Sequence, residues 1–521
     1  MESEPKEIEL KLRVAPEDIS VLRNHPDFPG HLQSPTNEEL ISVYFDSGDF
    51  FLRDHGLTLR VRHIGQKRIQ TIKASHSGSG IFERSEWEQA IEGDQPDLAG
   101  VMDTALGPIL TDSIRLALKP IFETRIERTA YRLNGGDTDI IMAIDRGVIA
   151  VPQSSCPVSE IELELKRGSP ADLFKIAHTI GGIVPAQLAV KSKSERGYDL
   201  VENTPIAAEE ACDLDLVPGM SSGRAFTLIG RACLRQLIAN EPATQKRDSE
   251  ALHQMRIALR RLRAAISLFS DVVTDDRVSI IKDELKWLGN ELGPARDLDT
   301  FLIEVLKPLR KQQPNEPGLV SIIRMFARER LKGYRRALQA VQSVRFRTLV
   351  LNTAEWIEAG PWSSSEDPLL RGRREIPIEA HAAEQLSKRR KKIRKGGSEI
   401  GKLNPPELHS LRIQIKKTRY AAEFFSGLYK DKKTERPHGK FLSSLKQLQN
   451  SLGGFNDIMM RKALCAEIIA RPGRGLTVEQ SRHRAYAAGL VMGDQQARIP
   501  QLLDRARKAH VRFDSSKAFW K

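Results

Sequence analysis

The stretch Glu7-Ile8-Glu9-Leu10-Lys11 decides how this chain begins to fold, and a second stretch, Glu160-Ile161-Glu162-Leu163-Glu164-Leu165-Lys166, repeats its pattern. Successive side chains of a β-strand point to opposite faces, so each stretch places its charged residues on one face and Ile and Leu on the other. Carboxylates in a row repel one another unless cations lie between them. The two stretches therefore predict a site for a hard divalent metal ion, and such a site indicates phosphate chemistry.

The sequence around these stretches predicts a mixed region of strands and short helices. Alternating polar and apolar residues predict strands over 7–14, 39–46, 58–63, 68–73, 83–91, 125–133, 139–145 and 160–166. A short helix is predicted over 16–24. A second is predicted over 170–180, because Ser169 is a favourable N-cap and Pro170 fits the first helical position.

The charged faces of these strands allow two structures. Arg60 and Arg62 share a face of one predicted strand, and Lys73 lies on a face of the next. An open sheet with a solvated charged face would explain this pattern, and so would a closed barrel whose charged face lines the interior. Glu-rich strands lie at both ends of the region and Arg/Lys-rich strands between them, which favours the barrel. A ligand held by cations directly and by carboxylates through a metal ion would use both groups.

The overall composition predicts an anionic partner. The chain has 521 residues, a formal net charge of +13 and a pI of about 9.5. Nucleic acid is the generic partner for such a charge, but an aromatic content of 6% disfavours a base-stacking surface. The four cysteines lie far apart, the first residues are acidic and polar, and no apolar run reaches the roughly 18 residues of a membrane span. We therefore expect a cytoplasmic protein with reduced thiols and no membrane partner; its oligomeric state is not predicted.

Beyond about residue 220 the sequence has helical periodicity and an internal repeat. The block 252–263 matches 408–419 at an offset of 156, and the block 292–297 matches 452–457 at an offset of 160. Each copy carries a row of basic residues spaced three or four apart, so each row lies along one helix face. The rows are His253, Arg256, Arg260, Arg263 and His409, Arg412, Lys416, Arg419.

These rows have a structural and a functional interpretation. Like charges at helical spacing destabilise a helix by a few tenths of a kcal/mol per pair, roughly. Acids on neighbouring helices, such as Asp297 and Asp457, would neutralise a purely structural face. No Asp or Glu lies between His253 and Arg263 or between His409 and Arg419, which favours an anionic ligand. The basic run 388–395 either extends this face or forms a nucleic-acid patch.

The N-terminal motifs resemble those of the CYTH family, the triphosphate tunnel metalloenzymes, over residues 4–203. Besides the Glu7–Lys11 motif, Leu59-Arg60-Val61-Arg62, Thr71-Ile72-Lys73, Arg84-Ser85-Glu86 and Lys191-Ser192-Lys193 follow in family order. The resemblance implies an eight-stranded antiparallel β tunnel with flanking helices that binds a triphosphate with Mg²⁺ or Mn²⁺. It implies substrate contacts from Lys11, Arg60, Arg62, Lys73, Arg84, Arg128 and Lys193, and metal ligands among Glu7, Glu9, Asp145, Glu160, Glu162 and Glu164. Lys11, Lys73 and Glu162 are the implied catalytic residues.

The helical half resembles the CHAD domain, and the two His-containing blocks carry this resemblance. It implies an all-α domain of two tandem four-helix bundles whose basic groove binds inorganic polyphosphate, with the eight residues of the two rows as contacts. The α+β chain thus divides into a tunnel domain (1–203), a linker (204–220) and a helical domain (221–510). This combination resembles bacterial CYTH-CHAD inorganic triphosphatases.

Four other functions stay open at this stage. Members of the CYTH family also include a class IV-type adenylate cyclase, which releases pyrophosphate from ATP, and hydrolases of thiamine triphosphate or RNA 5′-triphosphate. A binding protein with an inactive tunnel is a different class, and the full set of acids and cations argues against it. Binding of RNA or DNA is the remaining, less favoured alternative.

Overall fold

The computed structural model describes residues 6–74, 82–470 and 477–520, without the side chains of residues 6, 83, 84, 464 and 467–470. These residues form two compact units. The first comprises 1–215, 230–255 and 341–364, and the second comprises 216–229, 256–340 and 365–521. Two helical segments that follow the predicted linker therefore pack with the tunnel. The boundaries 1–203, 204–220 and 221–510 stay a prediction.

A single antiparallel sheet dominates the first unit. Its strands are β1 (Lys6–Arg13), β2 (Thr36–Asp46), β3 (Leu57–Ile64), β4 (Lys67–Ala74), β5 (Glu83–Ile91), β6 (Lys119–Gly135), β7 (Thr138–Val151), β8 (Ser154–Arg167) and β9 (Gln187–Leu188). The order is β5-β4-β3-β2-β6-β7-β8-β1-β9, and β1 also pairs with β5. Among the described residues, eight long strands thus close into a ring, and the two-residue β9 is added to β1.

The closed ring confirms the barrel interpretation over the open sheet. On β3, Leu59 and Val61 are fully buried on the face away from the interior, where they pack with Leu52 and Val101. Arg60 and its neighbours point the other way, into the cavity. The strand bounds differ most from the prediction at three strands: β6 begins at Lys119 instead of residue 125, β7 ends at Val151 instead of 145, and β8 begins at Ser154 instead of 160.

Among the described residues up to 203, five α-helices accompany the sheet: α1 (Asp18–Arg23), α2 (Phe51–Asp54), α3 (Asp112–Ala117), α4 (Pro170–Ile183) and α5 (Lys193–Val201). The predicted start of α4 is confirmed, because Ser169 caps it in a capping box with Asp172 and Pro170 is its first residue. The first predicted helix is shorter than 16–24, since α1 begins only at Asp18.

Helix α5 is fixed closely against the barrel. A Cβ atom on its Gly197 would lie 2.2 Å from the ring of Phe122, so only glycine allows this approach. The buried hydroxyl of Tyr198 donates a hydrogen bond of 2.7 Å to Asp46 Oδ2 on β2. These contacts determine where the N-terminus of α5, and with it Lys193, lies.

The rest of the described chain is helical, as predicted, up to Ser515 rather than 510. Its helices are α6 (Ser222–Ala239), α7 (Glu241–Gln245), α8 (Ser249–Leu268), α9 (Arg277–Phe301), α10 (Lys307–Gln312), α11 (Pro317–Gln342), α12 (Val344–Ala359), α13 (Pro361–Ser364), α14 (Pro368–Glu375), α15 (Ile378–Gly397), α16 (Pro405–Phe424), α17 (Glu435–Ala470), α18 (Val478–Ala497) and α19 (Ile499–Ser515). The division into two four-helix bundles stays a prediction. Within the described residues, no helix has the length and apolar character needed to cross a bilayer.

Candidate functional sites

The barrel encloses a cavity of about 480 Å³ with a densely charged wall. Its wall includes most residues that the sequence predicted for the tunnel: Glu7, Glu9, Lys11, Arg60, Arg62, Lys73, Arg128, Asp145, Glu162, Glu164 and Lys193. Glu160 lies behind this wall and contacts it through Lys193. Arg84 belongs to β5, but its side chain is outside the described part of the structure.

Glu162 lies at the centre of the charged network. Its carboxylate accepts hydrogen bonds from Lys11 Nζ (2.6 Å) and Lys193 Nζ (2.9 Å) and forms an ion pair with Arg128. Burial alone would raise the pKa of Glu162, but the three cations hold this pKa well below its usual value. The carboxylates of Glu160 and Glu162 raise the pKa values of Lys11 and Lys193 despite the burial of both lysines. All of these groups are therefore charged at neutral pH.

Three buried carboxylates form the most compact acidic group of the described residues. One oxygen from each of Asp145, Glu160 and Glu162 lies within 4.8 Å of the others. The ammonium group of Lys193 lies 2.7, 2.5 and 2.9 Å from them, and Arg128 donates two 2.7 Å hydrogen bonds to Asp145. Carboxylate oxygens suit Mg²⁺ or Mn²⁺, but four cations already compensate this group, since Lys11 also pairs with Glu162 and Arg196 with Glu160.

A second acidic group carries less compensation. Glu9 lies directly opposite Glu164 in the register of β1 and β8, and Glu7 shares their face. Burial raises the pKa of Glu9, and repulsion from Glu162 and Glu7 raises it further. Burial and the charges of Glu7 and Glu9 raise the pKa of Glu164, against the opposing effect of Lys166. Each of these acids has one lysine partner: Lys73 lies 2.6 Å from Glu7, Lys11 lies 3.0 Å from Glu9, and Lys166 pairs with Glu164. Oxygen donors with this smaller compensation fit a divalent cation.

The cations Arg60 and Arg62 occupy another part of the wall. Arg60 lies 3.6 Å from Glu86, whereas Arg62 forms no ion pair with the described carboxylates and donates to Ser42 Oγ at 3.2 Å. Burial and the nearby charges of Arg60 and Arg128 lower the pKa of Arg62 to about 10. Arg60 and Arg62 lower the pKa of Tyr44 against the effect of its burial. This part of the cavity has excess positive charge and is suited to an anion.

Some wall residues were not predicted from the sequence. Glu86 contacts Lys73 at 3.0 Å and Arg60 at 3.6 Å. Arg196 contacts Glu160 at 3.4 Å from the first turns of α5. Strand alternation gives the face of a residue, but it does not show which charges on different strands meet.

The repeated basic rows have matching partners in the second unit. Arg256 on α8 lies 3.3 Å from Asp297 on α9, and Arg412 on α16 lies 3.9 Å from Asp457 on α17. The arginines are 156 residues apart and the aspartates 160, which are the two offsets of the sequence repeat. The predicted compensation by Asp297 and Asp457 is therefore present, but it is incomplete.

The incompleteness is clearest at Lys416. Burial lowers its pKa from 10.5 to about 7, and the charges of Arg260, Arg412 and Arg419 add to this effect. The pKa of Arg412 is also lowered by burial and by Arg260 on α8. Cations from α8 and α16 therefore face one another across a short distance, and the pair of helices forms one basic surface.

Of the remaining predicted residues, Arg263 and His409 belong to the second unit and His253 to the first. Arg263 is exposed and, with Lys282, Arg389 and Lys392, lowers the pKa of the half-buried Lys417. This connects the 388–395 run to the same basic surface. His409 Nδ1 lies 2.6 Å from Asn456 Oδ1, and His253 is half-buried on α8, in the part of that helix that belongs to the first unit.

Two family models match the chain, the CYTH domain over residues 5–198 and the CHAD domain over residues 228–466. The chain is therefore a CYTH domain followed by a CHAD domain.

Among curated proteins, the chain is 32% identical over 200 residues to a protein of Haemophilus influenzae named inorganic triphosphatase. It is 28% identical over 201 residues to an uncharacterized protein of Mycobacterium tuberculosis. The matches cover 37% and 36% of this chain, and they span about half (54%) and about a third (37%) of the relatives' lengths.

Two solved structures are also similar to parts of the chain. The CHAD domain from the plant Ricinus communis is 27% identical, with a TM-score of 0.48, and the match covers 58% of this chain and 96% of that one. A putative adenylyl cyclase from Hippeastrum, described as having a dominant triphosphatase activity, is 18% identical with a TM-score of 0.29, covering 37% and 95% of the two chains.

Proposed function

We propose that the tunnel hydrolyses inorganic triphosphate to pyrophosphate and phosphate with the help of Mg²⁺ or Mn²⁺. The observation that carries this proposal is the separation of charge in the cavity wall. Arg60 and Arg62 form a part with excess positive charge, and Glu9 and Glu164 lie in a part with excess negative charge. A triphosphate bound together with a divalent cation complements both parts. The similarity to the Haemophilus triphosphatase supports the same reaction.

Each group of the wall has a distinct role in this proposal. Arg60, Arg62, Arg128 and the three lysines Lys11, Lys73 and Lys193 bind and orient the phosphate oxygens; Arg84 is kept in this set as a prediction. Glu7, Glu9 and Glu164 are the favoured metal ligands, because the cations compensate Asp145, Glu160 and Glu162 more fully. A bound divalent ion would supply charge neutralisation and an acidified water molecule for attack on phosphorus. Glu162 holds Lys11, Arg128 and Lys193 in place around the reacting phosphate.

We further propose that the basic surface of α8 and α16 binds inorganic polyphosphate. Arg260, Arg412, Lys416 and Arg419 repel one another, and a polyanion that lies along them would relieve this repulsion. Polyphosphate has closely spaced negative charges and no bases. It therefore suits a surface that is rich in cations and, like the whole chain, poor in aromatic residues.

The deciding experiment measures phosphate release from inorganic triphosphate and from ATP in parallel, with Mg²⁺, with Mn²⁺ and after EDTA. We expect rapid metal-dependent release from triphosphate and poor use of ATP. Cyclic AMP and pyrophosphate from ATP would replace the proposal with the cyclase, and turnover only of an organic triphosphate would replace it with that hydrolase. No turnover of any triphosphate would leave a binding protein.

The polyphosphate proposal needs a separate test, because salt weakens the binding of polyphosphate and of RNA alike. Labelled polyphosphate is bound to the full chain and challenged with unlabelled polyphosphate or RNA at equal phosphate concentration. We expect polyphosphate to displace the label at far lower concentration than RNA. Equal displacement by RNA would favour the nucleic-acid alternative.

A further inference from the structure

The segment 190–195 positions Lys193, which reaches the cavity from a helix and not from a strand. Lys193 is the first residue of α5, and Ser192 caps this helix. Glu195 completes the capping box, because its Oε2 accepts hydrogen bonds from Ser192 N at 2.8 Å and from Ser192 Oγ at 2.9 Å. The position of the Lys193 ammonium therefore depends on how Glu195 is held.

Arg235 on α6 holds this segment at two points. Its Nη1 donates a 2.6 Å hydrogen bond to the carbonyl oxygen of Val190, and its Nη2 pairs with Glu195 Oε1. One guanidinium thus bridges both ends of the segment that carries Lys193. All of these residues belong to the first compact unit, although Arg235 lies within the span that the CHAD model matches.

A second connection runs in parallel from Asn240, at the end of α6. Lys191 forms ion pairs with Asp199 (2.8 Å) and Glu209 (2.7 Å). The buried Asn240 side chain binds the backbone of Glu209 twice, at 2.9 Å through its oxygen and at 2.8 Å through its nitrogen. The loop before α5 is therefore tied to the end of α6 by two separate connections.

We infer that Arg235 is a positioning residue for the tunnel reaction: it fixes Val190 and Glu195 so that Lys193 reaches the phosphate site. This inference rests on the proposed triphosphatase function. The planar guanidinium suits this task, because it supplies two hydrogen bonds in a fixed geometry that a lysine cannot reproduce. Without Arg235, Ser192 and Glu195 still cap α5 and the three carboxylates still attract the Lys193 ammonium, but the backbone that carries Lys193 is held less firmly.

A double-mutant cycle tests whether Arg235 acts through Lys193. We measure kcat and KM for triphosphate in the full chain with Arg235→Gln, Lys193→Met and both changes together. Misplacement of a contact group by about 1 Å costs up to roughly 100-fold, and we expect Arg235→Gln to lower kcat/KM about tenfold. In the Lys193→Met background the same change should have less than about a twofold effect, because the group that it positions is absent. Arg235→Lys should recover only part of the loss.

Arg231→Gln is the matched control. Arg231 lies one turn earlier on α6 and forms a buried ion pair with Glu358. Its loss should lower the melting temperature but leave kcat/KM within about twofold, as expected of a buried pair that only stabilises the fold. An equal loss of kcat/KM in both arginine variants would overturn the inference, since general packing of α6 would explain it.

The other outcomes are also distinguishable. If Lys193→Met has no measurable turnover, protection against thermal unfolding by triphosphate replaces the rate in the same cycle. A wild-type chain with neither turnover nor protection would refute the proposed function itself. An active wild type in which Arg235→Gln has no effect, or the same effect in both backgrounds, would refute only the role of Arg235.

Discussion

The tunnel and the basic surface of α8 and α16 are both rich in cations, but their charges are balanced differently. In the tunnel, Lys11 and Lys193 lie among carboxylates, which raise the pKa values of both lysines. On the helical surface, Lys416 lies among arginines, and its pKa falls to about 7. In the tunnel, ion pairs therefore compensate most of the charges, whereas on the helical surface the cations repel one another.

This difference teaches what each region requires of a ligand. Under the proposed function, a triphosphate that enters the tunnel displaces ion pairs between basic residues and carboxylates. A divalent cation is then needed to neutralise the carboxylates that lose their partners. A polyanion on the helical surface displaces mainly water and relieves repulsion, so it needs no metal ion. Removing metal ions should therefore affect one region and not the other.

The largest expected effect comes from Glu162→Gln. The loss of this carboxylate leaves Lys11, Arg128 and Lys193 without their shared partner, and we expect kcat for triphosphate to fall by about 10³-fold or more. Affinity for polyphosphate, measured by titration, should stay unchanged. Glu123→Gln, which affects only a pair with Arg125 outside the cavity, is the control. Loss of polyphosphate binding in Glu162→Gln would show that the two regions do not act independently.

Arg62→Met should have the next largest effect. A hydrogen bond to a charged group contributes roughly 1.5–3 kcal/mol, so we expect KM for triphosphate to rise roughly 10- to 100-fold. Because Arg62 forms no ion pair with the described carboxylates, its removal should not lower thermal stability. Arg125→Met outside the cavity should leave KM unaltered. A normal KM for Arg62→Met would mean that the excess positive charge is not used for substrate.

Changing both Arg256 and Arg412 to Glu tests the basic surface of α8 and α16. We expect the double variant to bind polyphosphate about 30-fold more weakly, since two contacts become repulsive. Its triphosphatase rate should equal that of the wild type. The double variant Arg371→Glu with Lys402→Glu has the same net charge and serves as control. Equal weakening of polyphosphate binding in this control would mean that the overall charge, and not these two positions, causes the effect.

The smallest effect is a pH dependence of polyphosphate binding. Lys416 has a pKa of about 7 against an ordinary value of 10.5. Below pH 7 the charge of Lys416 lowers the free energy of unfolding by its full amount. This loss disappears as the pH rises from 7 to 10.5. A bound polyanion favours the charged form, so binding takes up a proton above pH 7. We expect affinity to fall about fivefold from pH 6 to pH 8, measured by calorimetry in two buffers.

Lys416→Arg is the control for this titration. An arginine stays charged throughout this pH range, so the variant should bind with a nearly flat pH profile. A wild-type profile that is equally flat would show that Lys416 does not face the ligand.

Much of the tunnel could be predicted because the charged face of each strand follows from residues that are close together in the sequence. Alternation alone gives the shared face of Glu7, Glu9 and Lys11, since side chains repeat every two residues in a strand. The register that sets Lys11 opposite Glu162 joins residues 151 positions apart, and no local pattern encodes it. The two residues of β9 are likewise too few for a periodic signal.

The helical surface shows the same limit. Spacing places Arg412 and Lys416 on one helix face, but the meeting of this face with Arg260 depends on the packing of α8 against α16. Arg235 could not be found at all, because a single arginine on a helix has no signature, and its partners Val190 and Glu195 lie 40 residues or more away.

The strand β1 gives the barrel an unusual order of assembly during synthesis. It leaves the ribosome before the other strands, whereas its partners β5, β8 and β9 end only at Ile91, Arg167 and Leu188. Until β8 is complete the nascent chain carries a strand with an unpaired edge, and Glu7 lacks its partner until Lys73 is made. The carboxylates that later serve the cavity also keep this edge charged, and so discourage neighbouring nascent chains from pairing with it.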